Sequence, residues 1–428
     1  MLSYRRNKNI MEEMKEKKKK GFSSATLLIV LCWIVYTCSY LGKLGYNANI
    51  TQIERVYEVS HSTAGLVSTF FFFAYGVGQI FNGVFCKRYP LRFVVFGSLL
   101  VSGLMNILVG VSDNFSLIKY FWMINGAALS VLWPSLIRLL SETLDKKDIG
   151  RAVMAMGTTV ATGTFFVYGL SALFVAFGTY VIMFFLAGIL LPLISLVWIF
   201  VYPKLVKPKE ENAQTTERVR GVLPQKKKLG GLWIPICILA FFAVIDNLVK
   251  DGLTTWVPMI LKETYDLPDY ASILLTILLP ILAIFGTSVA VTLHKKIKDF
   301  VVLIAFLFSG AAICIGLVIL CLPTGLFGVT LGSFGIVACL MSGINNIITS
   351  MTPLYWKERV NSGLLAGVLN GFCYLGSTLS AYGLGTIADF GGWNKVFWLL
   401  FVLCVIAVLT AISYSSRKLF TKNKYPLR

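Results

Sequence analysis

Charge is scarce in this chain: 14% of its 428 residues are Asp, Glu, Lys or Arg, against 57% that are hydrophobic. A soluble domain uses about 25% charged residues to coat its surface, so water is excluded as the main solvent and lipid takes its place. Histidine occurs only twice, and the nine cysteines show neither metal-ligand spacing nor an extracellular pairing pattern. Resident metals, zinc included, and a disulfide framework are therefore not expected. Most cysteines, such as Cys32, Cys237 and Cys314, fall inside apolar runs as small apolar residues. HExxH, GxSxG and Walker lysine motifs are missing, as is any catalytic aspartate pair within an apolar run. Intramembrane catalysis, ATP-driven pumping and a cofactor are thus not expected.

What the chain does have is apolar length. Windows of about 20 residues, enough to cross a hydrocarbon core of roughly 30 Å, mark twelve candidate spans. They centre near Ile34, Phe73, Leu104, Ala128, Thr164, Leu191, Ala243, Ala283, Ala311, Val337, Ser377 and Val405. The first is not expected to be a cleaved signal peptide: its run is long, lacks a small-residue cleavage site and continues into Lys43. A polar, proline-containing stretch from Pro203 to Gly231 reads as a linker dividing the chain almost in half. The expected fold is an all-α integral membrane protein with twelve transmembrane helices in two pseudo-symmetric six-helix bundles, both termini cytoplasmic. Its expected parts are a basic tail (1–22), an N-terminal bundle (23–203), a cytoplasmic linker (204–231), a C-terminal bundle (232–415) and a second tail (416–428).

Basic residues set the orientation. Apart from Lys43, Arg55, Lys119, Arg138, Lys250, Lys262 and Lys395, all 39 Lys and Arg fall in segments that this topology places inside, as the positive-inside rule demands. The net charge of +19 follows from that distribution, and clusters such as Lys17 to Lys20 and Lys226 to Lys228 meet anionic lipid rather than nucleic acid. Two sequons, Asn49-Ile50-Thr51 and Asn114-Phe115-Ser116, face outward close to the membrane. A multi-pass location in the cell membrane is expected, as a monomer.

Lys119 and Arg138 flank the fourth span, where snorkelling explains them. Lys43 and Lys250 stand late in the first and seventh spans, in register between the halves. A lysine at the centre of a spanning helix costs roughly 2.5 to 3.5 kcal/mol on insertion scales, so a chain that places two in register uses them. A count of 1.5 Å per residue from the inner end puts Lys43 about 28 Å along its helix, nearer the outer edge than the middle. Tyr36, Tyr40 and Lys43 share one helix face at i, i+4 and i+7, setting two phenols beside the ammonium. Asp246 and Lys250 are spaced i and i+4, with Asp251 following directly. An Asp246 to Lys250 pair reads equally as a structural partnership, a gate opened by an anion, or a proton site.

The twelve-span layout resembles the major facilitator superfamily, and local patterns resemble its organophosphate:phosphate antiporter family of glycerol-3-phosphate and hexose-phosphate exchangers. The matching residues are Tyr36-x3-Tyr40-x2-Lys43, Lys250-Asp251-Gly252-x3-Trp256-Val257-Pro258, Asn125-Gly126 to Trp133-Pro134 with Arg138, Gly367 to Gly376 with Tyr374-Leu375-Gly376, and Asp389-Phe390-Gly391-Gly392-Trp393. The resemblance implies that Lys43 and Lys250 clamp the substrate anion and that Tyr374 and Asn370, one turn apart, line the cleft. Asp246, Asp251 and Arg138 are candidates for gating or coupling, and Asn345 and Asn346 are weaker site candidates.

Departures from the family pattern matter as well. Its clamp residues are usually arginine; lysine is a point charge without the bidentate fork, which admits a carboxylate or sulfonate beside a phosphate. Val160 occupies the place of the fifth-helix histidine, and Lys87 and Lys295 replace acids in inner loops. His61 and His294, in or beside loops, read as structural or incidental. The resemblance implies alternating access, with a phosphorylated metabolite exchanged for inorganic phosphate; proton-coupled symport of another organic anion and a non-transporting sensor stay open. The partners implied are a small anion, inorganic phosphate or protons, and membrane lipids.

Overall fold

Lipid offers the backbone no hydrogen-bond partners, so each apolar run satisfies its own N–H and C=O groups as helix. The computed structural model describes residues 24–85, 90–206, 233–356, 360 and 362–420, and contains no strand among them. The basic tail 1–22, the linker from residue 207 onward, Lys87 and Arg88, and the tail beyond Phe420 lie outside the described residues.

The first half comprises α1 (Ser24–Ala48), α2 (Ile50–Tyr57), α3 (His61–Phe85), α4 (Leu91–Val111), α5 (Phe115–Leu129), α6 (Leu132–Thr143), α7 (Lys146–Ala176) and α8 (Val181–Leu205). The second comprises α9 (Trp233–Tyr265), α10 (Asp269–Thr276), α11 (Leu278–His294), α12 (Phe300–Cys321), α13 (Phe327–Asn346), α14 (Thr352–Tyr355) and α15 (Ser362–Phe420). Helices α5 and α6 together form one span, as do α10 and α11. The apolar run Leu365–Ser415 within α15 has 51 residues, about 75 Å of helix, which is more than twice the hydrocarbon thickness. At Gly392 the backbone leaves the helical region, with φ 69° and ψ 173°, a left-handed φ that glycine adopts without strain. The run therefore makes two crossings, and the described residues make twelve.

Beyond Lys43 only Asn49 separates α1 from α2. Lys43 lies 19 residues after Ser24, in the outer part of the span Ser24–Ala48, and Lys250 lies 17 after Trp233, near the middle of a helix of 33 residues. The Asn49 side chain is wholly buried and donates to Gly45 O at 2.8 Å and Ser171 Oγ at 3.0 Å. That sequon is closed to modification in this fold, whereas Asn114 is exposed and caps α5.

The halves meet along two seams, α3 against α15 and α7 against α10 and α11. Large apolar side chains such as Phe73, Phe166, Ile313 and Leu320 remain exposed, as lipid-facing flanks require. The outer layer is closed by charge. Gln52 donates to Asp269, which also holds Arg55 at 3.1 Å and Lys262 at 2.8 Å. His61 Nδ1 stands 2.8 Å from Glu54 of its own half, and its Nε2 stands 3.4 Å from Glu263 of the other. Asp389 accepts from the backbone N–H groups of His61 and Ser62, neutralising the positive N-terminus of α3. His61 is thus a junction between the halves, not an incidental loop residue. His294, in contrast, faces its neighbours Ile297 O and Tyr355 on the inner side.

Candidate functional site

Lys43 projects from α1 into a cage of aromatic rings. Its Nζ lies 4.4 Å from the ring centre of Tyr75, 5.3 Å from that of Tyr40 and 5.4 Å from that of Tyr374, and it donates to Tyr374 Oη at 3.3 Å. Cation–π contacts are worth about 2 kcal/mol or more once desolvated, so the cage offsets part of the cost of burying the ammonium. Glycines let the cage assemble. A Cβ at Gly76 would stand 2.7 Å from Tyr374 Cβ, and one at Gly163 would stand 2.6 Å from Tyr40 Cβ; α3 and α7 approach these tyrosines because no side chain intervenes. Tyr36 packs on Tyr40 and Trp133, with ring centres 5.7 and 4.8 Å away, and so supports the cage from one layer inward.

The backbone beneath Lys43 is also held. Asn125 donates to Gly42 O at 2.7 Å, and Ser102 donates to Asn125 Oδ1 at 2.7 Å. Asn125, singled out for its Asn-Gly pair, therefore acts through α1 rather than by facing a ligand.

Lys250 is held differently. Its Nζ donates to Asn247 Oδ1 at 2.8 Å and lies 3.7 Å from Asp251 Oδ1. The other Asp251 oxygen accepts a hydrogen bond from Ser377 of α15. Helical spacing alone allows either Asp246 or Asp251 to reach the ammonium, and packing selects Asp251. Asp246 is wholly buried and turns the other way, its Oδ2 accepting from Asn247 and Asn345 at 3.3 Å each, while its Oδ1 has no hydrogen-bond partner. Side-chain exposures of 27% for Lys250 and 22% for Asp251 show that this half of the site keeps contact with solvent, although the outer layer is sealed.

Both lysines lead to α15, Lys43 directly and Lys250 through Asp251. Tyr374, which takes Lys43, and Ser377, which takes Asp251, are one turn apart, and a Cβ at the intervening Gly376 would stand 2.1 Å from Val244 O of α9. Asn370 shares the Tyr374 face at i−4 and is half-buried. Arg138 lies apart on α6, paired with Glu142 at 2.9 Å. Val160 is 45% exposed, and the hydroxyl of neighbouring Thr158 bonds to Ala155 O, so no titratable group replaces the missing histidine there. Tyr75, Asn247 and Ser377 are contacts that sequence reasoning passed over. Asn247, at i−3 from Lys250, had a helical signal; Tyr75 and Ser377 had none beyond lying in spans.

Outward of the lysines, Asn47 donates to Thr255 Oγ1 at 2.8 Å, and Ser68 donates to Asn47 Oδ1 at 3.0 Å, tying α1 to α9 and α3. In α2, which lies beyond the first span, burial pushes the Glu54 carboxyl above the usual range, an effect opposed by its hydrogen bond to His61.

Twelve membrane crossings in two halves, with a half-buried lysine from each half linked to a shared helix, define a membrane transport protein and not an enzyme. The chain belongs to the Major Facilitator Superfamily, whose profile matches residues 32–362. It is 23% identical over 412 residues to a probable hexose phosphate transport protein of Chlamydia muridarum, covering 87% of each chain. It is 26% identical over 123 residues to the membrane sensor protein UhpC of Escherichia coli, a match spanning 29% of this chain and 28% of that one. Among solved structures, a bacterial homologue of the human lysosomal transporter Spinster, in an inward-facing and occupied conformation, aligns with a TM-score of 0.76 at 14% identity. That alignment covers 95% of this chain and 100% of the other.

Proposed function

We propose that the protein is a secondary transporter of a small organic anion, a phosphorylated metabolite exchanged for inorganic phosphate, working by alternating access. The two bodies that move are residues 23–203 and 232–415, joined through 204–231 and flanked by the tails 1–22 and 416–428. The observation that carries the reading is that Lys43 directly, and Lys250 through Asp251, one from each half, meet a single turn of α15. An anion seated there attracts both halves and favours the closed, occupied carrier over the empty one. Such differential affinity is what a ligand needs to move a conformational equilibrium. Tyr40 and Tyr374 shape the site around Lys43, Tyr36 supports them, and Asn370 lies one turn inward. Asp251 holds Lys250 while the site is empty; Asp246 and Arg138 serve coupling and inner closure. Similarity to hexose-phosphate transport proteins supports the substrate class.

Uptake of labelled hexose phosphate into phosphate-loaded proteoliposomes tests this reading. Lys43→Ala and Lys250→Ala, shown to be folded by size exclusion, are each expected to lower uptake by tenfold or more, about 1.4 kcal/mol. Wild-type rates in both variants would sink it. The similarity to a membrane sensor favours one second reading, and saturable binding of hexose phosphate without flux would select it.

A further inference from the structure

The two lysines are not equivalent, and the difference bears on the kind of anion admitted. Among the described residues no carboxylate lies within ion-pair distance of Lys43, whose neighbours are three aromatic rings and one phenol oxygen. Both carboxylates of this layer stand beside Lys250: Asp251 at 3.7 Å from its ammonium, and Asp246 buried behind Asn247 and Asn345. The first half of the site therefore offers an uncompensated cation, and the second offers a cation already answered by a carboxylate. A dianion held between them would set its second negative charge against the Asp251 carboxylate with no cation left to answer it, which is unfavourable.

Resting on the reading that this cleft binds an organic anion, we infer that the substrate is a hydroxyl-bearing anion of single charge. Its anionic group sits on Lys43 and its hydroxyls donate to Asp251, which is the residue that selects against a second negative charge. A phosphate ester qualifies in its singly protonated form, whereas a sulfate ester qualifies at any pH. Asp251 suits the reading of hydroxyls because an ionised carboxylate is an acceptor with more lone pairs than Ser377 and Lys250 use. It is partly exposed, and both donors that hold it approach from the protein side. The charged and titratable groups around it are Lys250 and Asp246 of α9, Tyr374 and Cys373 of α15, Tyr40 of α1 and Tyr168 of α7.

Competition binding on the purified full chain at pH 8 separates these terms, using glucose 6-sulfate (a monoanion), glucose 6-phosphate (a dianion at that pH) and ethyl sulfate (a monoanion without hydroxyls). Wild type is expected to bind glucose 6-sulfate about tenfold or more tighter than either of the others, because a site built to pair with hydroxyls rejects the analogue that lacks them. Asp251→Asn, nearly isosteric, frees the Lys250 charge and is expected to reverse the sulfate-to-phosphate preference. An unchanged preference in a folded Asp251→Asn protein that still binds both esters overturns the inference. If wild type binds none of the three, or if Lys43→Ala binds them as wild type does, the anion-site reading itself fails.

Discussion

A single carbon separates tolerance from collapse at several positions in this protein, and glycines mark them. A methyl group at Gly376 would stand 2.1 Å from the carbonyl oxygen of Val244, and no side-chain rotation relieves a clash with backbone. Gly367, about two and a half turns nearer the inner end of the same helix run, has open space at the corresponding point. Gly376→Ala is expected to destabilise the fold by about 1 to 3 kcal/mol, the usual cost of overpacking, and Gly367→Ala to be neutral or mildly stabilising through helix propensity. Thermal unfolding in detergent checks the pair; equal melting temperatures for both variants would mean that α9 and α15 are not packed as described. The same contrast shows how far the site was legible in the sequence. Lys43 and Lys250 stand out because charge in lipid is anomalous wherever it occurs, so periodicity and register find them. The partners of those lysines are a different matter. Tyr75 is one aromatic among many in apolar spans, and its role depends on α3 meeting α15 across more than 290 positions of chain. Asp246 and Asp251 both lie within helical reach of Lys250, and which one turns toward it is decided by Asn345 and Ser377 on other helices.

At the scale of elements, the ends of α2, α3, α9 and α15 form an outer latch whose strength depends on protons. Both ring nitrogens of His61 face carboxylate oxygens, at 2.8 Å on Glu54 and 3.4 Å on Glu263. Carboxylates only accept, so both contacts are hydrogen bonds only when the ring holds two protons. Glu54 works in the same direction. Its carboxyl titrates above the ordinary range while the latch is closed, chiefly because burial penalises its charge, and opening restores the ordinary value. The closed latch therefore binds protons more tightly than the open one; closure is favoured by acid and weakens as pH rises through the closed-state value of Glu54. Asp389 at the start of α3 and Lys262 beside Glu263 belong to the same layer and set its background field. Spin labels at Val56 on α2 and Phe390 on α15, both exposed and on opposite halves, are expected to show a growing long-distance population as pH is raised. His61→Ala, which removes the bridge at every pH, is expected to show that population already under acid conditions, with a flattened pH dependence. A distance distribution indifferent to pH in wild type would rule the latch out.

For the molecule as a whole, the architecture follows from chain-level arithmetic that sequence exposes well. Twelve apolar lengths, a polar divider and one-sided basic charge define two six-span halves, because the thickness of lipid and the cost of an unpaired backbone leave little else. Relative depth is harder to read. The count from the inner end places Lys43 in the outer part of its span, and the amphipathic α2 continues the chain as helix beyond that span. On the alternating-access reading, the empty carrier must bring an unneutralised Lys43 through a sealed intermediate in order to reset. Asp251 spares Lys250 that penalty, and nothing comparable spares Lys43. The aromatic cage returns about 2 kcal/mol, against an effective burial cost of several kcal/mol for an ammonium group. On the proposed function, the remainder falls on the empty carrier and disappears when an anion is bound, so exchange is expected to be faster than net movement. Proteoliposomes loaded with labelled substrate should therefore empty at least about tenfold faster into medium containing unlabelled substrate than into medium without it, a ratio that corresponds to 1.4 kcal/mol. Equal rates would show that the empty carrier resets freely.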